Sequence, residues 1–85
     1  MNTTFALMAR FESATVELKN ISQEFLGITP KTAEQKAKVC DLPFPTFKLR
    51  ESERSPTLVK LEDLGAFIDK QYKEAREEWE SVNIH

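Results

Sequence analysis

Apolar positions along this chain change period several times, and each change marks an element. Leu18, Ile21, Phe25 and Leu26 fall three and four apart, which places them on one face of a helix over residues 18 to 26. Gly27 follows as a stop, because it takes a positive φ without a Cβ clash. Thr29 then offers an N-cap oxygen, and Pro30 suits the first helical position, where its missing N–H costs nothing. The next helix runs over residues 30 to 39. Ala33, Ala37 and Cys40 share its small-residue face, so it can lie close against the helix before it, with Cys40 in the core. Two helices joined by a Gly-Ile-Thr link have the spacing of a helix-turn-helix.

Asp41-Leu42-Pro43-Phe44-Pro45 ends that helix, since both prolines lack a donor and restrict the residue before them. Thr46 to Arg50 alternates, which predicts a strand with Phe47 and Leu49 turned inward. A polar loop follows over 51 to 56, and residues 57 to 60 form a second short strand, making a hairpin over 46 to 60. Leu61, Leu64, Phe67 and Ile68 open a last helix, with Glu62 and Asp63 well placed in its first turn. That helix extends to about residue 78. Ile68, Tyr72, Ala75, Trp79 and Val82 then recur at four, three, four and three, a heptad-like seam. Trp79 is expected to pack on the N-terminal segment or on a second copy of the chain. Near the N-terminus, TFALMARF is too short an apolar run to classify, so strand and short helix both stand. Residues 15 to 17 read as a short strand. The expected core is Ile21, Phe25, Ala33, Ala37, Leu42, Phe47, Leu58, Leu64, Phe67 and Ile68.

These elements sum to one small α+β domain of 85 residues, mainly helical. It has a strand or short helix over 1–17, a helix-turn-helix and wing over 18–60, and a C-terminal helix and tail over 61–85. The order is that of a winged helix-turn-helix with a two-strand hairpin wing and a long C-terminal helix. Net charge is -2, which alone points away from nucleic acid. Its distribution changes that picture. Residues 29 to 60 carry seven basic side chains against four acidic ones, whereas 61 to 85 carry three against seven. A locally basic face is what phosphate binding requires. The single cysteine rules out an internal disulfide, and no apolar run approaches the ~20 residues of a membrane span. The opening MNTTFALMARFE lacks the positive stretch of a signal peptide, so a cytoplasmic protein is expected.

The chemistry of catalysis is thin here. The one histidine is the terminal His85, Cys40 shares the alanine face, and Glu77, Glu78 and Glu80 read as a solvated acidic face. No Gly-rich phosphate loop is present. The expectation is a non-enzyme with no cofactor and no metal site. The helix over 30 to 39, by contrast, suits a major groove. Gln35 has the donor–acceptor pair for adenine, and Thr32 can meet a base or phosphate. Lys31, Lys36 and Lys38 are placed for phosphates, with Lys48, Arg50 and Arg54 on the hairpin reaching the flanking backbone. A solvated polar face and a plain structural ribbon are the bland alternatives.

Taken together, TFALMARF, TPKTAEQKA, LPFPTFKL and SPTLVKLEDLGAFID resemble, in this order and over about residues 3 to 70, the pyocin activator protein (PrtN) family. The LPFPTF–strand–loop–strand–LEDLGAFID arrangement is also similar to the winged helix-turn-helix of excisionase and MerR-type proteins. The loop ESERSP departs from that pattern by placing two Glu beside Arg54, which weakens its grip on DNA. The resemblance implies a small bacterial or prophage-encoded transcriptional activator of bacteriocin or phage-tail-like genes. The expected partners are promoter DNA, RNA polymerase and, from the apolar seam rather than the resemblance, a second copy of the chain, with the seam residues at the homodimer contact. An excisionase-like DNA-bending protein and a protein-binding adaptor or antirepressor working through the C-terminal helix are the alternatives.

Overall fold

The computed structural model describes residues 2–83; His85 lies outside them. The chain opens with helix α1 (Thr3–Phe11), which settles the ambiguity of TFALMARF in favour of a helix. The Asn2 side chain accepts the Phe5 N–H at 2.8 Å, and the run between them and Phe11 is rich in strong helix formers. Strand β1 (Thr15–Glu17) follows, then helix α2 (Leu18–Ile21), which widens without a break into a single π-helical stretch over Ser22–Leu26. Gly27 ends it at φ 68, and its N–H donates to the Gln23 carbonyl at 3.2 Å. Helix α3 (Pro30–Lys38) starts as expected, with the Thr29 hydroxyl accepting the Thr32 N–H at 3.2 Å and Pro30 in the first turn. Strand β2 (Leu58–Lys60) and helix α4 (Leu61–Asn83) complete the order.

The sheet is not the sequence-adjacent hairpin that alternation suggests. β1 pairs antiparallel with β2, Val16 opposite Val59, so the two strands enclose the helical pair between them. Of the expected strand over 46 to 50, only Phe47 pairs, through one reciprocal bridge to Leu58 at 3.0 and 2.8 Å. Beyond it the backbone leaves the sheet, and Leu49 is 78% exposed instead of inward. The flanking Pro45 and the turns around Ser52 compete with any longer ladder.

Leu18, Ile21, Val59, Leu61 and Leu64 are fully buried and form the centre of the core, joined by Leu7, Val16, Ala33 and Phe44. Phe25, Ala37, Leu42, Phe67 and Ile68 pack on it partly buried, while Phe47 is half-buried outside this cluster. Phe44, lodged between two prolines, meets Phe67 edge-on at 5.8 Å. Cys40 is not a core residue. α3 stops at Lys38, and Cys40 takes a left-handed φ of 54, which turns its side chain off the Ala33–Ala37 face into solvent. α1 lies against the first turns of α4, where Gly65 gives Thr4 close access and Asp69 accepts the Thr3 hydroxyl. Arg10 pairs with Glu24 and lies over the rings of Phe11 and Phe25, tying α1 to the π-helical stretch.

α4 continues past this body. Its 23 residues make a rod of about 35 Å, and the molecule measures 54 × 27 × 17 Å. Trp79 does not fold back onto α1: it is 57% exposed, as are Tyr72 at 61% and Val82 at 67%.

Candidate nucleic-acid interface

Two facts fix how α3 faces the outside. Ala33 is fully buried, and successive helical residues turn by about 100°. The stripe opposite Ala33 is therefore Lys31, Gln35 and Lys38, at i, i+4 and i+7, and all three are exposed. Thr32 and Lys36 lie on the flank. Thr32 is half-buried, and its hydroxyl accepts a hydrogen bond from the Thr29 hydroxyl at 3.0 Å, so it belongs to the helix cap. The Lys36 ammonium sits 3.2 Å from the Asp41 carboxylate, just past the helix end. The structure thus brings together three of the five candidate residues on α3 and gives the other two local work.

Lys48, Arg50 and Arg54 are exposed on the loop that Phe47 and Leu58 close. That loop has a backbone of its own: the Ser52 N–H donates to the Arg50 carbonyl, the Ser55 N–H to the Ser52 carbonyl, and the Arg54 N–H to the Ser52 hydroxyl. Among the described residues, none of Lys31, Lys38, Lys48, Arg50 and Arg54 is held in a direct ion pair.

Between α3 and this loop runs an open groove of about 610 Å³. Lys38 stands on one bank, and Lys48 and Arg54 on the other. The Thr57 hydroxyl donates to the Glu34 carboxylate at 2.8 Å, fixing loop to helix. Lys19, on α2, also lines the groove. Sequence reasoning did not single it out, because its neighbours in space are far away in the chain. The Glu34–Thr57 bond was likewise invisible to a search by helical spacing.

The seam on α4 is exposed along its length beyond Ile68, which is half-buried against the core. Tyr72, Ala75 and Trp79 form a shallow apolar face, with the Tyr72 hydroxyl accepting from Arg76 at 3.0 Å. Among the described residues, no cluster of three or more His, Cys, Asp or Glu is placed to hold a metal ion, and no helix is long and apolar enough to cross a membrane.

No curated protein and no solved structure matches this chain. A family model described as pyocin activator protein PrtN matches residues 3–75, from the start of α1 through the α3 stripe and the loop into α4. That span covers most of the chain, and the chain belongs to the pyocin activator protein PrtN family, a family of regulators of pyocin genes.

Proposed function

We propose that the protein is a sequence-specific DNA-binding transcriptional activator of bacteriocin or prophage genes, using a winged helix-turn-helix in reduced form. α2 and α3 are the helical pair, and the loop closed by Phe47 and Leu58 is the wing. The observation that carries this reading is the exposed stripe of Lys31, Gln35 and Lys38 opposite buried Ala33, with no internal partner for either lysine among the described residues. A polar stripe on a helix fits a major groove, where base pairs are distinguishable. Gln35 reads a base edge, while Lys31 and Lys38 meet phosphates on either side. Lys48, Arg50 and Arg54 extend the contact to the flanking backbone. Thr32 and Lys36, held by Thr29 and Asp41, play a lesser part.

The experiment is selection from random duplex DNA by the purified protein, followed by salt titration of the selected sequence. Gln35→Ala should weaken the selected site by about 1–3 kcal/mol and unrelated DNA much less. Lys38→Ala should weaken all sequences alike and lower the salt slope by about one. Lys36→Ala should do less than Lys38→Ala. Failure to select any sequence would remove the reading.

We also propose that the protein acts as a homodimer through the α4 face of Ile68, Tyr72, Ala75, Trp79 and Val82. Three large apolar side chains there are more than half exposed, and small readers of DNA commonly need two half-sites for tight binding.

A further inference from the structure

The groove between α3 and the loop has a cation that the helix stripe does not explain. Lys19 belongs to α2, yet it lines the same open space as Lys38, Lys48 and Arg54. A smaller hollow of about 150 Å³, bordered by Glu34, Lys38, Thr46 and Lys48, shares its walls, so the trench continues alongside the last turns of α3. Four cations therefore stand along one channel, and Lys38 is at once the last residue of the exposed α3 stripe and a wall of the channel.

The carboxylates in the trench decide what it can hold. Glu34 is engaged by the Thr57 hydroxyl. Glu17 lies 3.9 Å from the Lys19 ammonium and accepts from the Asn20 amide at 3.4 Å. These two acids and Glu53 line the same groove as the four cations, so the trench presents both signs of charge with only a small positive excess. A compact phosphate dianion would feel the carboxylates as strongly as the lysines. An extended strand with one charge per phosphate can set successive phosphates against successive cations.

We propose that the trench is a track for one sugar–phosphate strand of the bound duplex, and that Lys19 is a phosphate-contacting residue on its α2 bank. This rests on the DNA-binding reading above. It adds a contact from a third element, so that α2, α3 and the loop grip one strand together while Gln35 faces the bases. Lys19 contributes affinity without sequence preference.

The test uses the full chain and fluorescence anisotropy with the selected duplex and a random duplex of equal length. Lys19→Ala should weaken both to the same degree, up to about eightfold at 0.1 M salt, and lower the salt slope by about 0.9. Lys19→Arg should restore most of the loss. Its ammonium is solvent-exposed, so the fold should survive, and circular dichroism verifies that. A competition arm substitutes inorganic phosphate for chloride at constant ionic strength and should displace no DNA. Wild-type binding that Lys19→Ala leaves unchanged in affinity and slope would overturn the track while leaving the DNA reading intact. Displacement by inorganic phosphate that Lys19→Ala abolishes would make the trench a free-phosphate site and also overturn it. If the wild type binds no duplex, both fall together.

Discussion

Gly65 is where α1 and α4 come closest, and substituting it isolates that contact. A Cβ built on Gly65 would stand 2.7 Å from the Thr4 hydroxyl oxygen and 3.5 Å from the Thr4 Cα and N. The last two are ordinary contacts; the first is a clash. Gly65→Ala therefore has two opposed effects. Replacing glycine inside a helix stabilises by about 1 kcal/mol. Forcing a methyl into filled space costs about 1–3 kcal/mol, reduced if Thr4 turns to its other helical rotamer. The net expectation is a loss of about 0–2 kcal/mol. Thr4→Ala removes the clashing oxygen. In the Thr4→Ala background the same Gly65→Ala step should stabilise by about 1 kcal/mol, a change of sign. Urea denaturation reads this as a shift in midpoint at constant slope. In a domain of this size, 1 kcal/mol corresponds to about 4–8 °C in melting temperature. A Gly65→Ala loss equally large in both backgrounds would refute the close approach of the two helices at Thr4.

Gly27→Ala should destabilise by about 1–2 kcal/mol, because φ is 68 there while nothing lies within 4 Å of the added methyl; thermal unfolding checks it, and an unchanged midpoint would contradict the left-handed turn. Arg10 holds the Glu24 carboxyl below the ordinary carboxylate range, chiefly by hydrogen bonding, so the pair's stabilisation is present above that range and fades as pH falls through the lowered value. Glu24→Gln should accordingly be less stable than wild type at pH 7 and equal to it in strong acid; urea midpoints at the two pH values decide, and a gap of the same size at both would count against the pair. Sedimentation across micromolar concentrations should show a dimer that Trp79→Ala dissociates without loss of helix content, whereas a concentration-independent monomer in both proteins would dispose of the α4 contact.

Much of the helical pair is legible in the sequence because its signals are local. Thr29-Pro30 starts α3 and Gly27 ends the stretch before it through backbone preferences that need no distant partner. What escapes is long-range. Alternation marks Thr46–Arg50 as strand-like but cannot say which strand it meets, and β2 takes β1 along its length, leaving Phe47 a single bridge. Extending the Ala33–Ala37 face by one more turn places Cys40 in the core, yet α3 ends at Lys38 and the left-handed residue points elsewhere. Phe44 looks like loop between prolines, and only the position of Phe67 shows why it is buried. The candidate site divides the same way. The α3 stripe follows from helical spacing, whereas Lys19 joins the groove only through folding, and the ties of Lys36 to Asp41 and Thr32 to Thr29 need side-chain positions.

The pairing of Val16 with Val59 has a consequence for how the chain is born. Synthesis delivers α1, β1 and both helices of the pair before the residues that cover them. Val59, Leu61 and Leu64, which complete the core around Leu18 and Ile21, arrive about 45 residues after Val16. At roughly 5–20 residues per second, that leaves the strand edge and its neighbouring leucine and isoleucine uncovered for about 2–9 s on every nascent chain. The emerging polypeptide is thus open to chaperone capture over a defined interval, and it becomes a closed domain only when the start of its last helix is made.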